Sequence, residues 1–158
     1  MAETIKTNVM RILEKEGVVH RVHFYDPDKG IDGLSVAAQL GQDPQAVYKT
    51  LVTQGKSRAF CVFVIPVGAT LNLKRAASAC GEKSIEMIPQ RILLPTTGYI
   101  HGGCSPIGMK KKYPTYIDEV CILCDEIAVS AGERGHQMIL SPDALVHLVN
   151  AVMADIIN

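Results

Sequence analysis

The first apolar positions, Ile5, Val9, Ile12 and Leu13, recur at helical spacing and are followed by Gly17, a residue suited to the left-handed cap that ends a helix. The pattern predicts an amphipathic helix from Thr4 to Glu16. From Val18 to Tyr25 the residues Val18, Val19, Val22, Phe24 and Tyr25 predict a strand, broken by Asp26-Pro27-Asp28-Lys29-Gly30. Leu34 to Leu40 is Ala-rich and halted by Gly41, while Asp43-Pro44 joins a capping acid to a proline suited to the first helical position. Two short helices are expected, the second reaching about Val47. Two apolar runs, Lys49–Thr53 and Ala59–Ile65, flank the polar Gln54-Gly55-Lys56-Ser57 and predict a hairpin.

Leu73 to Cys80, closed by Gly81, has helical composition; Ser84–Ile88 predicts a strand, and Pro89–Leu94 a helical turn before Pro95. Between Thr96 and Pro114 stand Gly98, Gly102, Gly103, Pro106 and Gly108, too many breakers for a simple connector. Long loops of this kind commonly carry function. Thr115–Ile117, Glu126–Ser130 and His136–Leu140 predict strands, the last two joined through Ala131-Gly132-Glu133-Arg134-Gly135. Ser141-Pro142-Asp143 starts a helix with cap, proline and acid in order, and Leu145, Leu148, Val149, Val152 and Ile156 continue its apolar stripe. Strands and helices intersperse without the regular alternation of a doubly wound fold. The expectation is one α/β domain over residues 1–158, with a mixed, mainly antiparallel, barrel-like sheet surrounded by helices.

A chain of 158 residues, 47% hydrophobic, can bury a sufficient core without a metal or a disulfide. Lys plus Arg and Asp plus Glu both number 16, so no global field draws in nucleic acid or a membrane, and an RNA partner must meet a local patch. There is no apolar run long enough to span a bilayer and no basic, apolar start resembling an export signal. The chain therefore reads as soluble and cytoplasmic, with neither membrane nor DNA expected as a partner. Its five cysteines then read as reduced thiols.

Cys121 and Cys124 form a CxxC, but no second pair of ligands accompanies it, so apolar packing beside Ile122 and Leu123 is expected and no metal. Cys104 lies in the Gly-rich loop without a base nearby in sequence, which argues for an incidental thiol. Gly103 to Gly108 approaches a P-loop, yet Met109 stands where the motif requires lysine. No GxSxG, HExxH or GxGxxG occurs, and His20, His23, His101, His136 and His147 show no ligand spacing. Lys110, Lys111 and Lys112 form the one concentrated positive run. A solvated face would explain it, but its place after a Gly-rich loop equally suits contact with phosphates. Lys49, leading into an apolar strand, is either snorkelling outward or set at a pocket rim.

Lys6-Thr7-Asn8 with Met10-Arg11, Val47-Tyr48-Lys49-Thr50-Leu51, Val64-Ile65-Pro66-Val67, Leu73-Lys74, Thr97-Gly98-Tyr99, the run from Gly102 to Lys111 and the run from Val129 to Gly135 occur in an order and spacing that resemble the YbaK/EbsC family, bacterial Cys-tRNA(Pro) deacylases. The resemblance runs nearly end to end. It implies trans-editing, the hydrolysis of the ester between a wrong amino acid and the end of a tRNA, with mischarged tRNA and prolyl-tRNA synthetase as partners and no cofactor. By the same resemblance Lys49 is the required lysine and Gly102, Gly103, Ser105 and Pro106 belong to a GxxxP loop. Tyr25 matches a site tyrosine, and Gly132, Arg134 and Gly135 a Gly-Arg-Gly turn beside the pocket. Cysteine-specific members carry an acidic residue near the position where this chain has His136-Gln137, which places Gln137 among the substrate contacts. In those members the substrate's own thiol attacks its carbonyl. Deacylation of another small amino acid, Ala or Ser, and a non-catalytic module that binds tRNA or a synthetase through Lys110–Lys112 are the alternatives.

Overall fold

A computed structural model describes residues 6–158, so the predicted helix start at Thr4 and Ile5 lies outside the described residues. The first helix, α1 (Asn8–Lys15), is capped by the Thr7 hydroxyl, which accepts from the Met10 N–H, and it buries Val9, Met10 and Leu13. β1 (Arg21–Phe24) follows, shorter than expected because Val18 to His20 make no ladder. α2 (Gly33–Leu40) starts at Asp32, whose carboxylate accepts from Ser35 N–H, and ends at Gly41 in the left-handed conformation. The second short helix is a single tight turn over Pro44–Ala46. The hairpin consists of β2 (Tyr48–Gly55) and β3 (Phe60–Pro66), paired antiparallel from Tyr48↔Pro66 to Gln54↔Phe60.

The remaining elements are α3 (Leu73–Ala79), β4 (Ile85–Met87), α4 (Leu93–Thr97), β5 (Thr115–Asp118), β6 (Ile127–Ser130), β7 (His136–Leu140), α5 (Pro142–Val149) and β8 (Val152–Ala154). Five strands lie in the order β4-β2-β3-β5-β8 and three in the order β1-β7-β6. β3–β5 and β5–β8 are parallel and the other pairings antiparallel, so the five-stranded sheet is mixed, the three-stranded one is antiparallel, and the pairing as a whole is mainly antiparallel. The expected barrel-like closure is absent: among the described residues the two sheets are open and meet through one isolated bridge, Val47 to Ala128.

Between the sheets lies the main core, where Val9 and Leu13 from α1 meet Tyr48, Val64, Ile117, Val129, Met138, Leu140 and Leu145. A second core on the opposite face of β3 joins Phe63 and Ile65 to Ala76, Ala77, Ile85 and Ile156. Burial on both faces explains why β3 reads as a continuous apolar run rather than an alternation. A third, smaller cluster sets Ala37 of α2 against Val47, Val67, Ala128 and Ile139.

Three expectations need correction. The last helix does not reach Ile156: Asn150 adopts φ 53°, ends α5, and releases β8 to pair with β5. Val152 and Ile156 match helical spacing by coincidence, and Ile156 N–H is instead held by the buried Asp118 carboxylate at 3.0 Å. The turn near Pro89 does not stop before Pro95 either. It runs on into α4, because Pro95 sits in the first turn, where its missing N–H is not needed. Ile122 and Leu123 are exposed on a tight turn over Glu119–Leu123, while Cys121 alone enters the core.

Candidate active site

A cleft of about 360 Å³ opens where the start of β2, the start of α2 and the Gly-rich loop converge over the small sheet. Tyr48 to Leu51 of β2 and Val67 form one wall, Tyr25 and Ile31 to Leu34 a second, His101, Gly102 and Cys104 a third; Val129, Ser130, His136 and Gln137 are also in the lining. Four of the residues expected at the site, Lys49, Gly102, Tyr25 and Gln137, thus come together from distant parts of the chain.

Lys49 is half-buried, and its Nζ lies 3.4 Å from the Val67 carbonyl. Removal from water lowers its pKa from the ordinary 10.5, because burial disfavours the ammonium form. The neighbouring Thr50 hydroxyl, also in the lining, is buried with no partner among the described residues. Asp32 is the one carboxylate of the lining, and the hydrogen bonds it accepts from Ser35 hold its pKa below the usual range.

Gly102 sits at φ +86°, and a Cβ there would come 2.8 Å from Ile31 Cδ1 and 3.1 Å from Ile31 Cβ. Gly103 packs on the Glu133–Arg134 backbone and gives its N–H to the Ile100 carbonyl at 2.9 Å. Ser105 is fully buried, and its hydroxyl accepts from Ile107 N–H; Pro106 is buried beside it. Gly103, Ser105 and Pro106 therefore shape the loop from behind rather than line the cleft. Tyr99 donates its hydroxyl to the Ile107 carbonyl and braces the same loop.

The turn after β6 supports the loop from the other side. Arg134 Nε donates to the His101 carbonyl at 2.8 Å, Gly132 packs on Val9 and Tyr99, and the Gly135 carbonyl accepts from Tyr25 N–H at 3.0 Å. Arg134 and Gly132 hold the loop and Gly135 holds Tyr25, all without entering the cleft. Lys110, Lys111 and Lys112 are exposed outside it. Lys110 N–H bonds the Thr97 carbonyl, which ties the run to α4, whose first residue Leu93 lines the cleft.

Cys104 reaches the cleft, but burial pushes its thiol up to about 12, so it is protonated near neutrality. Among the described residues no group of three His, Cys, Asp or Glu side chains is placed to hold a metal ion, and no helix is long and apolar enough to cross a membrane. Sequence reasoning missed Ile31, Asp32 and Thr50. Asp32 before Gly33-Leu34 carried a signal, that of a helix-capping acid, and Thr50 stood beside Lys49 in a motif of the resemblance without being assigned to the site.

This architecture and cleft belong to a known class: the chain is a member of the aminoacyl-tRNA editing domain family, which it matches over residues 33–148. In particular, it is 44% identical over 152 residues, covering 96% of this chain and 93% of the relative, to a protein of Enterococcus faecalis that bears the provisional name Cys-tRNA(Pro)/Cys-tRNA(Cys) deacylase EbsC. The YbaK/EbsC resemblance expected from the motifs is thereby borne out. Two solved structures share the fold. One is a protein described as hypothetical, with TM-score 0.87 and 21% identity over 95% of this chain and 99% of that one. The other is provisionally described as a trans-editing enzyme for prolyl-tRNA synthetase, with TM-score 0.80 and 21% identity over 96% and 98%.

Proposed function

We propose that this chain, as one domain over residues 1–158, is a cytoplasmic aminoacyl-tRNA deacylase that clears cysteine from tRNA(Pro) in trans. The observation that carries this reading is the half-buried Lys49 sharing a cleft with the Gly102 loop, in a chain 44% identical to a protein named for that activity. An aminoacyl ester is already activated, so its cleavage needs positioning and oxyanion stabilisation more than a strong nucleophile. Lys49 supplies a fixed cation for the terminal phosphate or ribose oxygens. Backbone N–H groups of Gly102 and Cys104 supply donors for the oxygen that becomes negative; Tyr25 and Gln137 bound the amino acid.

Burial pushes the Cys104 thiol up, which disfavours it as a nucleophile, and the nucleophile in this reading is the one the family resemblance implies, the substrate's own thiol. The cysteinyl sulfur attacks its own carbonyl carbon, the bond from that carbon to the ribose oxygen breaks, and the thiol proton passes to the departing ribose oxygen, which leaves as a hydroxyl. The products are a free tRNA end and a thiolactone, which water then opens to cysteine. Lys110, Lys111 and Lys112 contact acceptor-end phosphates. With 16 basic and 16 acidic residues, affinity for tRNA is modest and salt-sensitive, which suits delivery by prolyl-tRNA synthetase.

The test is hydrolysis of a panel of mischarged tRNAs with no synthetase present. Cysteinyl-tRNA(Pro) should clear fastest. Faster loss of an alanyl or seryl ester would reassign the amino acid, and an intact panel would leave a tRNA-binding module without the chemistry.

A further inference from the structure

β7 is the middle strand of the small sheet, and Gln137 pairs across to His23 on β1 and to Ser130 on β6. Side chains at paired positions share a face, so these three form a polar row. Two residues along the same face, Ile139 and Ala128 belong to the apolar cluster that packs on Ala37 of α2. Gln137, 3% exposed, is thus a carboxamide at the seam between an apolar cluster and the cleft. Such a group needs partners on the protein side.

Gln42, just past the Gly41 cap of α2, provides both. Its Nε2 donates to Gln137 Oε1 at 2.8 Å, and Gln137 Nε2 donates back to Gln42 Oε1 at 3.0 Å. The Gln42 backbone N–H is itself anchored to the Ala37 carbonyl at 2.9 Å, and its Nε2 makes a longer contact of 3.4 Å with His23 Nδ1. Gln42 does not line the cleft.

We infer that Gln42 is a positioning residue for amino-acid selection, which clamps the Gln137 carboxamide against rotation so that a fixed, uncharged donor and acceptor meet the aminoacyl side chain. Each amide spends one N–H and one lone pair on the other, and Gln137 keeps one of each. A neutral pair of this kind suits a small side chain bearing a thiol or hydroxyl. It offers nothing to balance a charged one.

The inference rests on the deacylase reading, and the experiment separates the two. The ratio of kcat/KM for cysteinyl-tRNA(Pro) over alanyl-tRNA(Pro), whose slower loss goes through water because alanine lacks the attacking thiol, is measured for wild type, Gln42→Leu, Gln137→Ala and the double variant. Gln42→Leu should contract the ratio about tenfold, the order of one neutral hydrogen bond, by slowing the cysteinyl ester and leaving the alanyl ester unchanged. In the Gln137→Ala background it should add nothing, since it acts through Gln137 alone. An unchanged ratio in Gln42→Leu, or contractions that multiply in the double variant, overturns the clamp while leaving the deacylase intact. Hydrolysis of neither ester by the wild type overturns both. If Gln42→Leu does not fold, Gln42→Ala carries the same expectations.

Discussion

Gly102→Ala tests whether the loop conformation itself is part of the catalytic apparatus. Two costs arise from the structure. The first is the backbone: at φ +86° an alanine is strained by about 1–2 kcal/mol. The second is steric, since the new methyl would sit 2.8 Å from Ile31 Cδ1, which can rotate away, and 3.1 Å from Ile31 Cβ, which cannot. Gly81 isolates the first cost, because it lies at φ +73°, has nothing within 4 Å of where an added methyl would stand, and is remote from the cleft. Gly81→Ala should lower Tm by about 2–6 °C and leave deacylation unchanged. Gly102→Ala should lower Tm by more and also displace the loop away from Ile31. A displacement of about 1 Å is enough to cost on the order of 100-fold in kcat/KM. Ile31→Ala in the Gly102→Ala background removes the Cδ1 contact and should recover part of the activity. The assay is deacylation of cysteinyl-tRNA(Pro), with Tm measured on the same preparations. A Gly102→Ala chain that loses stability yet keeps full kcat/KM refutes the placement of the reacting oxygen against this loop.

Lys49→Ala should lower kcat/KM by about 2–4 kcal/mol of transition-state stabilisation, and Lys49→Arg should recover little because a guanidinium fork has a different reach. Lys49→Met bears on stability: burial lowers the folded-state pKa, so the wild type gains stability as pH rises from that lowered value towards 10.5, and the advantage of Lys49→Met in denaturant melts should shrink across that window. Neutralising Lys110, Lys111 and Lys112 together should raise KM and flatten the salt dependence of tRNA affinity with kcat little changed; an unchanged salt slope would return the run to a solvated face. Changing Cys104, Cys121 and Cys124 to Ser should preserve most deacylation, while Cys121→Ser costs about 1–3 kcal/mol for a hydroxyl in an apolar core, and loss of activity in the folded triple variant would place chemistry on a protein thiol.

The elements that could be read from the sequence are those whose signals are local. Gly41 and Ser141-Pro142-Asp143 mark helix ends through backbone conformation and capping, and both act where expected. β7 matches its predicted span, and the hairpin differs only at its ends. The failures arise where tertiary pairing overrides local pattern. Val152 to Ala154 continues a helical stripe on paper, but β5 offers a free edge, and the parallel pairing Tyr116↔Val152 outweighs another turn of helix once Asn150 has ended it. Likewise, six strand pairings can be drawn as a barrel or as two sheets, and the difference lies in whether β2 and β6 form a ladder or a single bridge, a matter of packing that no short segment encodes.

The cleft follows the same division. Lys49, Gly102 and Tyr25 were legible through the family's motifs, since from the residues alone Lys49 could equally snorkel outward and Tyr25 was only a strand residue. What fixes them was not, because every such contact joins segments far apart: Ile31 against Gly102, Arg134 holding His101, Gln42 holding Gln137. These contacts also explain the arrangement of glycines. Gly102 and Gly103 face Ile31 and the Glu133–Arg134 backbone so closely that an added methyl would force one side to shift, so the loop is pressed between two supports rather than left open to solvent. On the proposed mechanism, a loop held on both sides presents its backbone donors in one place, preorganised for an ester that is already activated. The absence of a triad in the sequence is then no deficit. The demand in that mechanism falls on rigidity, to be met by the glycines of the loop motif together with Ile31 and Gln42, which no motif singles out.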